Sequence, residues 1–122
     1  MLTYSQTTGT LLQDGKYLAT GWAGNHAGKN NPAMQDKPCI GPLPQGKYTL
    51  QAWELTHDHL GPMVCFLLPD PSNTMFGRGD FFCHGPSQGD NYGQESKGCI
   101  VIPHQMRQTV KDSGQTQLTV IA

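Results

Sequence analysis

The sequence predicts a small, mainly β single domain over residues 1–122, with one helix near the C-terminal end. Three observations carry that expectation. A chain of 122 residues is long enough for one hydrophobic core and too short for two. Its 15 glycines and 9 prolines call for many turns. Its hydrophobic residues, only 36% of the chain, fall in short alternating or continuous runs.

The first element is a hairpin. Thr10-Leu11-Leu12-Gln13 and Lys16-Tyr17-Leu18-Ala19 flank Asp14-Gly15, a dipeptide that tolerates the positive φ angles of a tight turn. Residues 21–38 are rich in Gly, Asn, Pro and Ala and show no apolar period, so a long irregular loop is expected. A rigid turn, Gly41 to Gly46, leads into Lys47-Tyr48-Thr49-Leu50-Gln51-Ala52-Trp53, which alternates like a half-buried strand. Met63-Val64-Cys65-Phe66-Leu67-Leu68 fits a strand buried on both faces. Phe81-Phe82-Cys83-His84 and Cys99-Ile100-Val101-Ile102 are two further strands. Pro103 suits the first turn of a helix that runs to Asp112 or Ser113, with Met106 and Val110 on one face and Gly114 as its stop. Leu118-Thr119-Val120-Ile121 closes the chain as a strand.

Composition excludes several functions. The formal charge is −1 with no basic block, so no nucleic-acid footprint and no polybasic lipid patch is expected. The apolar runs are too short for membrane insertion. The start, Met1-Leu2-Thr3-Tyr4-Ser5, lacks the charge and apolar stretch of a signal peptide, so synthesis in the cytoplasm is expected. Four cysteines, Cys39, Cys65, Cys83 and Cys99, permit two disulfides, but the compartment argument favours free thiols. Cys65 and Cys83 read as core. His57-Asp58-His59 invites a metal, yet no further ligand spacing supports one, so no metal and no cofactor is expected. His104 reads as a surface residue, and His26 carries no role.

The chemistry concentrates between Arg78 and Arg107. His84-Gly85 ends one strand and Ser96-Lys97-Gly98-Cys99 opens the next, with a polar loop between. A free thiol has a pKa of about 8.5, and a neighbouring imidazole can take its proton. Gly98 allows a sharp turn, so the N–H groups of Lys97, Gly98 and Cys99 are expected to converge on an oxyanion. Base, nucleophile and backbone donors are the minimum set for acyl transfer.

These residues resemble the active-site signature of L,D-transpeptidases, in which a His-Gly precedes a Ser/Thr-His-Gly-Cys segment. Gly28 to Gln35, Gly41 to Thr49 and Gly77-Arg78-Gly79-Asp80-Phe81 resemble a narrower branch, the compact toxins of this type delivered by type VI secretion systems. The likeness runs from about Gly21 to the end of the chain. Lys97 departs from the broad family, which has histidine there; Val101 stands where asparagine is frequent; and the loop between base and nucleophile is short.

The resemblance implies a β-sandwich or barrel with one helix after the nucleophile strand. It implies Cys99 as nucleophile, His84 as base, and a thioester to the third residue of a peptidoglycan stem tetrapeptide, commonly meso-diaminopimelate, with loss of D-alanine. Water as acceptor gives L,D-carboxypeptidase activity, a D-amino acid gives exchange, and a second stem gives a cross-link. It further implies secretion into a target cell's periplasm, a secretion-apparatus component as partner, and a cognate immunity protein. Within this frame Arg78 is expected to hold a substrate carboxylate through its planar fork, the alternative being an ion pair with Asp80. Ser96 and Gly85 support the site, with Ser96 bracing the nucleophile turn. Asn31 is the loop residue assigned to substrate binding, while ordinary turn chemistry favours bracing of their own loop for both Asn30 and Asn31. Two competing functions remain: a papain-like peptidase or amidase, and a non-catalytic wall-binding or secretion module. The first normally places its cysteine before its histidine, on a helix N-terminus.

Overall fold

The computed structural model describes residues 1–57, 60–87 and 92–122. Among the described residues nine strands and one α-helix follow in order: β1 Leu2–Ser5, β2 Thr10–Gln13, β3 Lys16–Thr20, β4 Trp22–Ala23, β5 Gly46–Leu50, β6 Cys65–Pro69, β7 Phe82–His84, β8 Ile100–Val101, α1 His104–Asp112 and β9 Gln117–Ile121. Their order across the sheet is β3-β2-β1-β9-β5-β6-β7-β8-β4. Only β1–β9 and β7–β8 are parallel; the other neighbours are antiparallel.

β3 and β4 lie at the two ends of this order, yet Gly21 alone separates them in the chain. The sheet must therefore curl until its ends meet, which gives a nearly closed barrel. Gly21 forms the seam. Its N–H donates to the Gly9 carbonyl at 2.9 Å, and a Cβ at this position would collide with the Val101 carbonyl oxygen.

Alternation fills the interior. Leu2 and Tyr4 of β1 stand level with Leu118 and Val120 of β9, and Tyr48 of β5 pairs with Leu118. All five are buried in one cluster with Leu11, Leu50, Leu67, Ile100 and Val110. The helix docks Val110 into this core and packs Met106 against it. Cys65 and Cys83 face each other across β6 and β7 as buried free thiols. Burial pushes the Cys65 thiol up to about 12 and raises that of Cys83 as well.

The hairpin forms where expected, with Asp14 at φ 50° and Gly15 at φ 82°, as a two-residue primed turn requires. The helix starts one residue later than expected: Pro103 is its cap, and Gly114 at φ 70° follows its end. β5 stops at Leu50 instead of reaching Trp53. Met63 adopts φ 57° and Val64 forms only an isolated bridge with Glu54, so β6 begins at Cys65. The loop 21–38 holds β4 and two 3₁₀ turns, His26–Gly28 and Pro32–Met34. β1 and β4 had no counterpart in the sequence reading. No helix among the described residues is long and apolar enough to cross a membrane.

Candidate active site

The turn before β8 is built around a fully buried hydroxyl. Ser96 Oγ donates to the Cys99 carbonyl at 2.6 Å and accepts from the Gly24 N–H at 2.9 Å and the Gly98 N–H at 3.1 Å. One donor and two acceptors exhaust a serine hydroxyl, so Ser96 braces the turn. Asn25 adds a second tie, its Nδ2 donating to the carbonyls of Ser96 and Cys39 at 2.7 Å each. Gly98 has φ 126°, and a Cβ there would press on the Phe81 ring and the Arg78 guanidinium, so glycine is required. The Gly98 N–H, expected among the oxyanion donors, is instead held by Ser96 Oγ.

Cys99 follows this turn at the foot of β8. Parallel pairing sets Cys83 level with Ile100 and His84 level with Val101. One step earlier β8 has not begun, and Cys99 Sγ takes the place of a ladder carbonyl, accepting the Phe82 N–H at 3.3 Å. Cys99 is a free cysteine and the residue is half-buried. Burial raises its pKa; the N–H groups of Phe82 and Cys99 and the charge of Arg78 work to lower it, and Asp80 raises it.

His84 stands two residues beyond Phe82 on β7, about 7 Å along a strand. Strand alternation puts it on the face opposite Cys83, which lines the core. Its Nδ1 lies 2.8 Å from the Gly85 carbonyl. That oxygen can only accept, so Nδ1 carries the proton and Nε2 keeps its lone pair. Burial lowers the imidazole pKa, and the charges of Arg107 and His57 act in the same direction; the Gly85 hydrogen bond and Glu95 oppose it. Gly85 gives Arg107 room, because a Cβ at 85 would meet its guanidinium.

A cavity of about 290 Å³ opens at the sulfur, lined by Cys39, Arg78, Asp80, Phe81, Lys97 and Cys99 among others. His84 is not among its lining residues. Arg78 serves as a clasp here. Nη1 donates to the carbonyls of Gln35 at 2.6 Å and Pro42 at 2.8 Å, and Nη2 to those of Gly41 at 2.9 Å and Lys97 at 3.1 Å. The guanidinium also lies 5.1 Å from the Phe81 ring centroid. Its fork is thus committed to backbone oxygens rather than presented to a substrate carboxylate, and no ion pair to Asp80 forms. Lysine offers a point charge and no fork. Arg78→Lys is therefore expected to lose at least two of these bonds, about 2–3 kcal/mol, read as a lower midpoint in thermal unfolding. Unchanged stability with a raised KM would return Arg78 to carboxylate binding.

Asn31 caps the second 3₁₀ turn: its Oδ1 accepts the Ala33 N–H at 3.1 Å and its Nδ2 donates to the Ala27 carbonyl at 3.0 Å. Both polar ends brace its own loop instead of facing the cavity. Tyr92 is exposed and packs edge-on to Trp22, with ring centroids 5.6 Å apart. His57 packs edge-on to Phe82 at 5.4 Å, and its Nδ1 accepts the Leu60 N–H at 3.1 Å. Asp58 and His59 lie outside the described residues. Among the described residues no group of three metal-ligating side chains comes together.

Two residues matter that sequence reasoning missed. Glu95 accepts hydrogen bonds from Trp22 Nε1 at 3.0 Å, the Ser87 hydroxyl at 2.7 Å and N–H at 2.9 Å, and the Gly93 N–H at 3.1 Å. Burial resists its ionisation, but these donors prevail and hold its pKa low. It thereby pins both ends of the segment between His84 and Cys99. Arg107 projects from α1 and donates Nε to the Ile102 carbonyl at 3.1 Å and Nη1 to those of Pro62 at 2.9 Å and Met63 at 2.7 Å. Neither residue belongs to a recognisable spacing; each acts through groups distant in the chain.

Residues 18–122 match the family model described as the Tlde1 domain. No curated protein matches the chain.

Proposed function

We propose that this chain, which belongs to the Tlde1 domain family of L,D-transpeptidase-like proteins, shortens or exchanges the ends of peptidoglycan stem tetrapeptides through a thioester on Cys99. Family membership makes it a peptidoglycan-modifying cysteine enzyme in general terms. The finer reading rests on one observation: a free, half-buried cysteine lines a cavity at the foot of the strand paired in parallel with that of His84.

The chemistry follows from those positions. Cys99 Sγ attacks the carbonyl of the third stem residue while its proton passes to His84 Nε2. The N–H of Lys97 is the donor left for the oxyanion, since that of Gly98 is engaged with Ser96 and that of Cys99 with its own sulfur. Collapse breaks the amide bond, and the departing D-alanine amine takes the proton from His84. Water, activated by the same imidazole, then cleaves the thioester to a carboxylic acid and restores the thiol. A D-amino acid in place of water completes an exchange. Removing stem ends that a neighbour needs for cross-linking makes the activity antibacterial, and fits delivery by a type VI apparatus into another cell's periplasm, with an immunity protein protecting the producer. A papain-like arrangement finds no support, because Cys99 enters a strand rather than a helix.

The purified chain incubated with a stem tetrapeptide is expected to release D-alanine. Mass spectrometry of wall digests after periplasmic expression is expected to show tripeptide or exchanged stems. Cleavage inside the stem or at its sugar link, or an unchanged wall, would overturn the reading.

A further inference from the structure

The segment that leads from the base to the nucleophile is tied down by one carboxylate. Strand pairing sets Trp22 of β4 level with Val101 of β8, and Val101 level with His84 of β7. Their neighbours Ala23, Ile100 and Cys83 belong to the core cluster, so alternation turns Trp22, Val101 and His84 to the outer face. Glu95 reaches both ends of that row. At one end its Oε1 accepts the Trp22 indole N–H at 3.0 Å. At the other its Oε2 accepts the N–H and the hydroxyl of Ser87, just beyond His84 in the chain, at 2.9 and 2.7 Å. The next residue is Ser96, whose hydroxyl holds the nucleophile turn through the Cys99 carbonyl and the Gly98 N–H.

The partners demand a carboxylate. Trp22 Nε1 and the N–H groups of Ser87 and Gly93 can only donate, and the Gly93 N–H approaches both oxygens, at 3.1 and 3.3 Å. Glutamine offers one acceptor oxygen, and its NH2 would face an N–H on the other side. The indole is itself fixed, by the Tyr92 ring with centroids 5.6 Å apart and by Lys29 Nζ 4.7 Å from its centroid. Glu95 is not among the residues lining the cavity at Cys99, so these bonds act on the site through the chain that carries them.

We propose that Glu95 is a positioning residue of the acyl transfer: by fixing Ser87 and Trp22 against the Ser96 turn, it sets the reach from the His84 imidazole to the Cys99 sulfur. This deepens the function proposed above and rests on it. Base and nucleophile exchange a proton only within hydrogen-bond reach, about 2.6–3.2 Å, and a displacement of about 1 Å can lower a rate about 100-fold. Because the carboxylate lies off the cavity, its loss slows the chemical step and leaves substrate binding as it was.

D-alanine release from a stem tetrapeptide by variants of Glu95 and Ser87 tests this, with melting temperatures measured alongside. Glu95→Gln is expected to lower kcat about tenfold or more, with KM within about twofold of the wild type. Ser87→Ala keeps the carboxylate and carries the test even if Glu95→Gln does not fold. It is expected to lower kcat about threefold, again at unchanged KM, and Ser87→Thr, which returns the hydroxyl, to recover most of that loss. The double variant Glu95→Gln with Ser87→Ala is expected to fall no further than Glu95→Gln alone, because both changes break one network. With a wild type that releases D-alanine, variants that melt earlier yet keep the wild-type kcat at a temperature where all are folded would overturn the positioning role alone, as would a raised KM with kcat unchanged. A wild type that releases no D-alanine would overturn the proposed function and the positioning role with it.

Discussion

Replacing Cys99 by alanine is expected to abolish D-alanine release, with a loss of roughly 10³-fold or more, while the domain stays folded. The fold depends little on this sulfur. It accepts the Phe82 backbone N–H at 3.3 Å, and Cys99 lines the cavity and stands outside the core cluster. Loss of that acceptor costs about 1 kcal/mol, so far-UV circular dichroism should match the wild type. Activity above a tenth of wild type would show that the sulfur is not the nucleophile.

The pH profile of the wild type carries the same argument. Burial holds the Cys99 pKa above that of an ordinary thiol and the His84 pKa below the ordinary imidazole value of 6.5. On the proposed mechanism the thiol therefore passes its proton to a neutral imidazole only as the carbonyl is attacked. On that mechanism acid inactivates the enzyme by protonating His84. Because that pKa is depressed, the acidic limb of kcat/KM is expected to have its midpoint below 6.5. Both limbs belong to the coupled pair rather than to one residue. An acidic limb centred above 6.5 would contradict an imidazole shielded from water.

Legibility in the sequence tracked the range of the interactions involved. The Asp14-Gly15 hairpin, the helix from His104 and its Gly114 stop are local, so residue types at fixed offsets announce them. The nucleophile turn is local too: Ser96, Gly98 and Cys99 bond to one another across three residues. β4 has only two residues and exists because β8 pairs with it from the far end of the chain. β1 likewise depends on β9, more than a hundred residues away. Arg78 was recognisable as important but not for its reason. Its partners are four carbonyls, and carbonyls leave no mark in a sequence. Asn31 stayed open to either role for the same reason, since an asparagine that caps a turn and one that binds a ligand look alike until the turn is seen.

Arg107→Met is expected to be the most destabilising single change considered, at about 3–5 kcal/mol. The guanidinium is only 4% exposed and donates to three backbone carbonyls from two separate segments. Methionine matches much of the stem but none of the donors, and each buried carbonyl left without a partner costs about 1–3 kcal/mol before water or relaxation compensates. For a chain of 122 residues that predicts a melting temperature lower by roughly 10–20 °C. A fall of only a few degrees would mean that the carbonyls find water instead. A purely structural role stops there, but the position of Arg107 beneath Gly85 predicts a second effect. Its positive charge helps to depress the His84 pKa, so its removal raises that pKa and moves the acidic limb of kcat/KM to higher pH. Arg107→Lys separates the two effects. It loses the fork and much of the stability, but keeps a cation near the imidazole, so its acidic limb should stay closer to that of the wild type. Equal displacement of the limb in both variants would assign the shift to loosened packing around β7 instead of to charge.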